Sequence, residues 1–521
     1  MKQFFKAFIM IFMLNLLIIS CSSTTNDGVN TDFCNNISCG EFGSCIVVEH
    51  KARCKCNEGY HADELSCIKD IDPNETGCTE NNTQGLEGYF VSPEGSDEGD
   101  GSIENPISLT KALSNTSLVY QENKILWVCP GVYKGVFVSE LSGTEESPFI
   151  IKAIPKTRVI LDSKTNHEGR ADTLRVNGSW TEYHGFEVMD SSTDSRESAE
   201  RGSSPSDITL NGGVNIFGHD VKVINFVVHD TTGGFSFWRP ATDSELYGNI
   251  IYNNGWTAPD RGHGHAIYTQ NETGTKTLKD NIIFFGYGTG VHAYTEGGAI
   301  KGFDVIDNVW FHTGASDPRT SQRKDNCLIG GFQPVERLLI EGNVGWSKGR
   351  GTRIGYGGDI NNIDATFRNN YLAESLWIWG NWETIDLIDT QVFGGIGDED
   401  KAKITTMENS VLVNEKPTTG TKIFIKQNEY DANRARVAIF NWEEKDSIDV
   451  DLKSVLKTGD NFKINSVFDL FGEPVVKGTF DGNLISIPMG TVAPPQPYGM
   501  EGGIEEDDDP KKQFGVFIII H

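Results

Sequence analysis

Short apolar phrases recur through the middle of this 521-residue chain, each opening on an asparagine. They begin at Asn225 (NFVV), Asn249 (NIIY), Asn281 (NIIF), Asn308 (NVWF), Asn343 (NVGW) and Asn370 (NYLA), at intervals of 24, 32, 27, 35 and 27 residues. Recurrence at this period marks a solenoid, in which each repeat buries its apolar side against its neighbours. The phrases are short and rich in β-branched and aromatic residues, which suits buried strands better than helices. One strand phrase per coil, with Gly and Asn at the corners, predicts a parallel β-helix. The asparagines are expected to stack on successive coils and pair their amides in a ladder. Coils longer than the minimum carry loops inserted on one face, where binding sites tend to be built.

Strand alternation then sorts the chemistry. Gly264-His265-Ala266-Ile267-Tyr268-Thr269 aligns with Gly290-Val291-His292-Ala293-Tyr294-Thr295, 26 residues on, and Gly234-Phe235-Ser236-Phe237-Trp238 fits the coil before. If Phe235 and Val291 point inward, then Trp238, Ala266, Tyr268, His292 and Tyr294 point outward. This predicts an exposed aromatic column, Trp238–Tyr268–Tyr294, with His292 beside it, suited to the apolar faces of sugar rings. The same alignment sets His265 in the inward column, bonded to the Asn ladder if it is purely structural. Asp260-Arg261-Gly262-His263-Gly264-His265 opens a coil with an insertion and is followed by Gln270. Histidine is the natural acid or base near neutral pH, and arginine grips a carboxylate with two hydrogen bonds. His263, at a coil corner, is therefore the expected base. His292, His265 and Arg261 stand beside it as catalytic candidates. Trp238, Arg239, Tyr268, Gln270 and Tyr294 are the candidates for holding substrate. His263-x-His265 could supply two metal ligands, but no third ligand stands at a firm spacing, so the metal is unknown. His229-Asp230 reads either as an orienting pair or as a corner hydrogen bond.

Composition narrows the partners. The net charge of −28 and pI of about 4.8 leave no basic surplus to displace the counterions of nucleic acid. An anionic substrate would need a local cationic patch or a bridging metal.

The first 21 residues, two early lysines and a long apolar run ending Ile18-Ile19-Ser20-Cys21, read as an export signal. The ending resembles a bacterial lipobox, which implies lipidation at Cys21. Ser22 resembles the sorting signal of outer-membrane lipoproteins. The expectation is an exported outer-membrane or cell-surface lipoprotein, touching the membrane only through its lipid, with residues 22–33 as tether. Cys34, Cys39, Cys45, Cys54, Cys56 and Cys67 follow, with Gly59-Tyr60 after the fifth. Their spacing resembles an EGF-like module, which implies the pairs Cys34–Cys45, Cys39–Cys54 and Cys56–Cys67. So small a module needs its bridges, because it cannot bury a sufficient core. Pairing among Cys78, Cys129 and Cys327 is not legible.

After a linker at 68–88, Tyr89-Phe90-Val91-Ser92-Pro93-Glu94-Gly95, an acidic Gly-rich loop and an amphipathic stretch resemble the N-terminal cap of pectate-lyase-like, right-handed parallel β-helix proteins acting on polysaccharides. A plug is physically required there, since an open coil end would expose apolar core and unpaired strand edges. The β-helix is expected over 89–400 and a C-terminal antiparallel β-sandwich over 401–493. A final part, 494–521, holds an acidic tail and an edge strand. The resemblance implies an extracellular polysaccharide as partner, cleaved by β-elimination. Known lyases of this architecture use Lys/Arg pairs with calcium, which makes calcium the cofactor to consider. Their motifs are not evident here, and no cofactor follows from the sequence itself. The alternatives are a glycoside hydrolase using Asp230, Asp243, Glu245 or Asp260, a uronan epimerase, and a non-catalytic carbohydrate-binding adhesin.

Overall fold

The computed structural model describes residues 43–48, 51–56, 60–63, 66–69, 76–79, 83, 85–117, 125–164, 171–318, 324–500 and 512–521. The export signal and tether expected at the N-terminus lie outside these residues. Among the described residues no helix is long and apolar enough to cross a membrane. The chain divides into two compact units, Met1–Asp70 and Ile71–His521.

The first unit contains two antiparallel hairpins, Gly43–Val48 with Lys51–Cys56 and Tyr60–Asp63 with Ser66–Lys69. Cys45 is disulfide-bonded. The other cysteines of the expected EGF-like module lie outside the described side chains.

The second unit is mainly β and is built on three long parallel sheets of nine, eleven and twelve strands among the described residues. Successive strands visit the nine-, twelve- and eleven-stranded sheets in turn, so the chain winds as a parallel β-helix. The coils run from Tyr89–Ser96 to Val411–Val413, past the end at 400 expected from the phrase. A one-turn helix, Leu109–Ala112, plugs the first coil with Leu109 and Ala112. Its N-cap Ser108 accepts the Lys111 backbone N–H. Cys78 and Cys129 are bridged, which ties residues before the first coil to it, and Cys327 is a free, buried thiol inside the coils.

The corner between the twelve- and eleven-stranded sheets explains the phrase. Gly248, Asp280, Asp307, Gly342 and Asn369 turn the chain at φ of 66, 56, 54, 67 and 55°, a left-handed conformation that Gly, Asn and Asp tolerate best. The next residue is the repeating asparagine. Asn249, Asn281, Asn308, Asn343 and Asn370 each donate Nδ2 down the stack: to Asn281 at 2.9 Å, Asn308 at 2.9 Å, Asn343 at 3.0 Å, Asn370 at 3.0 Å and Thr390 Oγ1 at 3.3 Å. Every Nδ2 also reaches a backbone carbonyl, and Oδ1 of each of the last four accepts a backbone N–H from the coil before. Buried amides in low dielectric are costly unless bonded, and here both ends are bonded. Asn225 departs from the expected ladder. It occupies the left-handed corner itself, at φ 56°, and Phe226 takes the ladder position, its N–H donating to Asn249. The NFVV phrase is thus one residue out of phase with the others.

The C-terminal part comprises a five-stranded antiparallel sheet and a two-stranded ribbon sharing one core, where a sandwich was expected. One face of the sheet, with Ala438, Phe440, Trp442, Phe514, Val516 and Ile518, packs on the outer face of the eleven-stranded sheet through Phe284, Phe311, Trp346 and Tyr371. Phe514–Ile520 is not the edge strand expected from its position at the chain end. It pairs with Arg434–Asn441 on one side and Asn461–Ser466 on the other. Its nearly continuous apolar run, FGVFIII, is what a strand buried on both faces requires.

Candidate functional site

The site lies on the outer face of the nine-stranded sheet. The central residue of each of its three-residue strands projects outward: Ser236, Tyr268, His292, Leu328, Arg353 and Trp377 stand one per coil. Phe235, Ile267 and Val291 are buried, so the faces follow the sequence expectation. The register does not. Tyr268 pairs with His292, 24 residues on, rather than with Tyr294. The slip is an even number of residues, so no side chain changed face.

The aromatic column is therefore continuous through a histidine. Trp238 meets Tyr268 at 5.7 Å between ring centroids, Tyr268 meets His292 at 5.6 Å, and His292 stacks on Tyr294 at 5.0 Å. Trp238 Nε1 donates to Asn215, and Gln270 Nε2 donates to the Tyr268 hydroxyl at 3.3 Å. Arg239 is exposed, 3.4 Å from Glu272.

His265 does not enter the core. It precedes its strand, just past Gly264 at φ 78°, and its ring lies 4.2 Å from that of His292. Its Nδ1 accepts the Thr289 backbone N–H at 3.2 Å, so the proton of the neutral ring sits on Nε2. That Nε2–H donates to His292 Nδ1 at 3.0 Å, which leaves His292 with its own proton on Nε2. The pair thus presents a hydrogen-bond donor outward and no free lone pair, so neither ring is placed to act as a base. Burial, and then the Arg261 charge, push His265 down to about 3. Burial, His265 and Arg353 hold His292 well below its ordinary value, so both rings are neutral at working pH.

His263 also differs from expectation. It sits in a hairpin, Trp256–Thr257 with Gly262–His263, stacked on Trp256 at 5.3 Å and only 2% exposed. Nε2 lies 3.2 Å from Asp260. The apolar Trp256 and the insertion folded over it make His263 a packing residue rather than a corner base.

Of the cations here, sequence reasoning named Arg261 and missed Lys324, Arg350 and Arg353. Arg261 and Arg350 are exposed, and Lys324 is partly covered. All three act electrostatically on one another or on the histidines, as does Arg353. Asp325 engages Arg353 at 2.5 Å, and the Arg353 guanidinium lies 4.7 Å from the Trp379 ring centroid. Among the described residues the Lys324 ammonium makes no hydrogen bond or ion pair. Burial lowers its pKa and the Arg261 and Arg350 charges lower it further, while Asp317 and Asp325 oppose them. Two insertions, 253–266 and 312–326, deliver Arg261 and Lys324 from the same corner of two coils that have one coil between them. The signal was the surplus length of those two coils. Beneath Arg353, the buried Glu374 accepts from Thr352 at 2.7 Å, Trp310 at 2.9 Å and Asn326 at 2.5 Å, and burial raises it to about 7. It fixes the chain neighbours of both Asp325 and Arg353.

The four carboxylates available for hydrolysis are each engaged elsewhere. Asp230 binds His229, Asp243 accepts the Thr275 N–H, Glu245 accepts the Tyr430 hydroxyl and Asp260 holds His263. No group of three or more His, Cys, Asp or Glu among the described residues could hold a metal.

No family model and no curated protein matches the chain. Among solved structures it is similar to a pectate lyase, Pel9A, at 14% identity and a TM-score of 0.42, over 64% of this chain and 80% of that one. It is similar to XylC, solved with xylose, at 10% identity and 0.39, over 82% and 99%. It is also similar to an alginate lyase from a Paenibacillus species at 16% identity and 0.33, over 58% and 96%. Likeness at this level carries no argument about chemistry, which has to come from the side chains.

Proposed function

We propose that this chain binds a uronate-containing polysaccharide on the nine-stranded face of a right-handed parallel β-helix and cleaves it by β-elimination. One observation carries the reading: Arg261, Lys324, Arg350 and Arg353 gather at one place on a chain of net charge −28. Such a patch concentrates an anionic polymer that the rest of the surface repels. The exposed Arg261 and Arg350 neutralise the uronate carboxylate, and the neutral His292 Nε2–H donates to the charge that develops on it. Lys324, unpaired and depressed, takes the C5 proton as its free amine. The C5–H electron pair becomes the C4–C5 double bond, and the C4–O4 bond breaks. The leaving oxygen receives the proton from the Lys324 ammonium, which restores the amine.

Incubation with polygalacturonate, alginate and a neutral glucan tests the reading. The expected result is ultraviolet absorbance of an unsaturated uronide from one of the acidic polymers. Reducing ends without absorbance would move the protein to the hydrolases, and retention of polymer without product would make it an adhesin.

Two further parts belong to the same proposal. Residues 34–67 are an EGF-like module, supported by the cysteine spacing and the disulfide at Cys45. Residues 1–21 direct lipidation at Cys21. Cys21→Ser is expected to release the protein from the membrane fraction, and a variant that stays membrane-bound would rule the anchor out.

A further inference from the structure

The aromatic column does not stop at the histidines. Tyr294 meets Tyr356 at 5.0 Å, Tyr356 meets Phe332 at 5.5 Å and Trp379 at 6.3 Å, and Trp379 meets Trp377 at 6.4 Å. Phe332, Trp377 and Trp379 are 49, 40 and 38% exposed, large rings left open on an otherwise well-buried coil. Their indoles are held in place: Trp377 Nε1 donates to Ser375 at 2.8 Å, and Trp379 lies against Arg353. The exposed amides of Asn361 and Asn381, bonded to each other at 3.0 Å, open the two strands next to Trp379. On the other side of the histidines the column runs through Tyr268, Trp238 and Phe217, whose rings are only partly exposed.

We infer that Phe332, Tyr356, Trp377 and Trp379 form a separate binding arm for the apolar faces of pyranose rings, on the C-terminal side of the cationic cluster. The inference deepens the proposed function and rests on its polysaccharide partner. Three coils separate His292 from Trp377, so the arm advances roughly 14 Å along the helix axis at the spacing of adjacent strands. Open rings bordered by amides suit a ligand with alternating C–H faces and hydroxyl edges. Continuity with the cationic cluster through Tyr294 and Tyr356 assigns the occupant as the same polysaccharide chain. Only substrates long enough to reach the arm gain from it.

The test is intrinsic tryptophan fluorescence titration with oligogalacturonates and oligoalginates of two to six sugars, on wild type and on Trp377→Ala/Trp379→Ala. Wild-type affinity is expected to climb with length. The double variant should lose that climb, by roughly three- to tenfold per ring removed, and keep its dimer and trimer affinity. Trp377→Phe/Trp379→Phe should restore most of it, and a thermal melt checks that the coils remain folded. A variant that keeps the full length dependence overturns the inference, as does one that weakens dimers and hexamers alike. If wild type binds no uronate oligomer, cellohexaose and xylohexaose are titrated in its place. Binding to these that the double variant loses retains the arm while the uronate reading fails. Wild type binding none of the four series overturns the arm too.

Discussion

Lys324→Met should turn over a uronate polymer about 10²–10⁴-fold more slowly than wild type, the usual cost of removing a general base. Polymer retention should fall much less, because Arg261, Arg350 and Arg353 remain. Wild-type turnover should rise with pH through a value below the ordinary 10.5 of a lysine, since burial and then two neighbouring arginines depress it. The variant should lack that limb of the profile. His263→Ala gives the contrast. Its ring is buried on Trp256, so its loss should lower the melting temperature. Sequence reasoning expected His263 to be the base instead. A Lys324→Met enzyme with normal turnover and an unchanged pH profile would remove the base assigned here.

The second large effect lies away from the site, where the β-helix meets the segment before the final strand. His229 is pinned between Asp230 at 2.7 Å and Glu187 at 3.0 Å, and Arg158 grips Glu187 at 2.5 and 2.7 Å. Arg196 donates to the Asp230 carbonyl at 2.8 Å, and the Tyr498 N–H donates to the Asp230 carboxylate at 2.9 Å. Burial opposes each charge, yet the partners win. They raise His229 to about 9 and hold Glu187 down at about 2. The stabilisation from His229 is full below its unfolded value of 6.5 and is lost as pH rises through 9. That from Glu187 is full above 4.5 and is lost as pH falls toward 2. Resistance to urea should therefore be highest between pH 4.5 and 6.5 and fall steadily up to pH 9. Glu187→Ala removes one of the two carboxylate partners of buried His229 and the partner of the partly exposed Arg158, and should cost about 1.5–3 kcal/mol, read as a shift in the unfolding midpoint at pH 6. A variant as stable as wild type, with the same alkaline decline, would show that the network carries no such weight.

The phrase N-apolar-apolar-aromatic carried the architecture because it encodes two local requirements at once. A left-handed corner wants Gly, Asp or Asn, and a stacked interior corner wants an amide that can donate and accept along the axis. Both needs are met within three residues, so they repeat visibly. Asn225 shows the boundary of the signal: the residue type matched, but it was the corner and not the rung, and only the pairing of Val227 with Ile250 decides which. The outward face of the site strands was legible for the same local reason, strand alternation. That face survived a register wrong by two residues.

What the sequence could not carry was anything set by how far an insertion folds back. His263 and His265 are two residues apart, yet one is packed under a hairpin and the other faces His292. The tautomers of the histidine pair rest on a backbone N–H from Thr289, in the following coil. Lys324 joins Arg261 and Arg353 only because inserted loops open at the same corner of coils two apart in the stack. The final apolar run had the composition of a doubly buried strand, but its central place needed the β-helix on one face and the ribbon core on the other. The sequence by itself determined the repeating coil, the buried amide ladder and the outward aromatic face, because each follows from bonds and periodicity within a few residues. The tertiary structure alone decided the gathering of charge at the site and the tautomers of its histidines, because these depend on groups brought together from different coils.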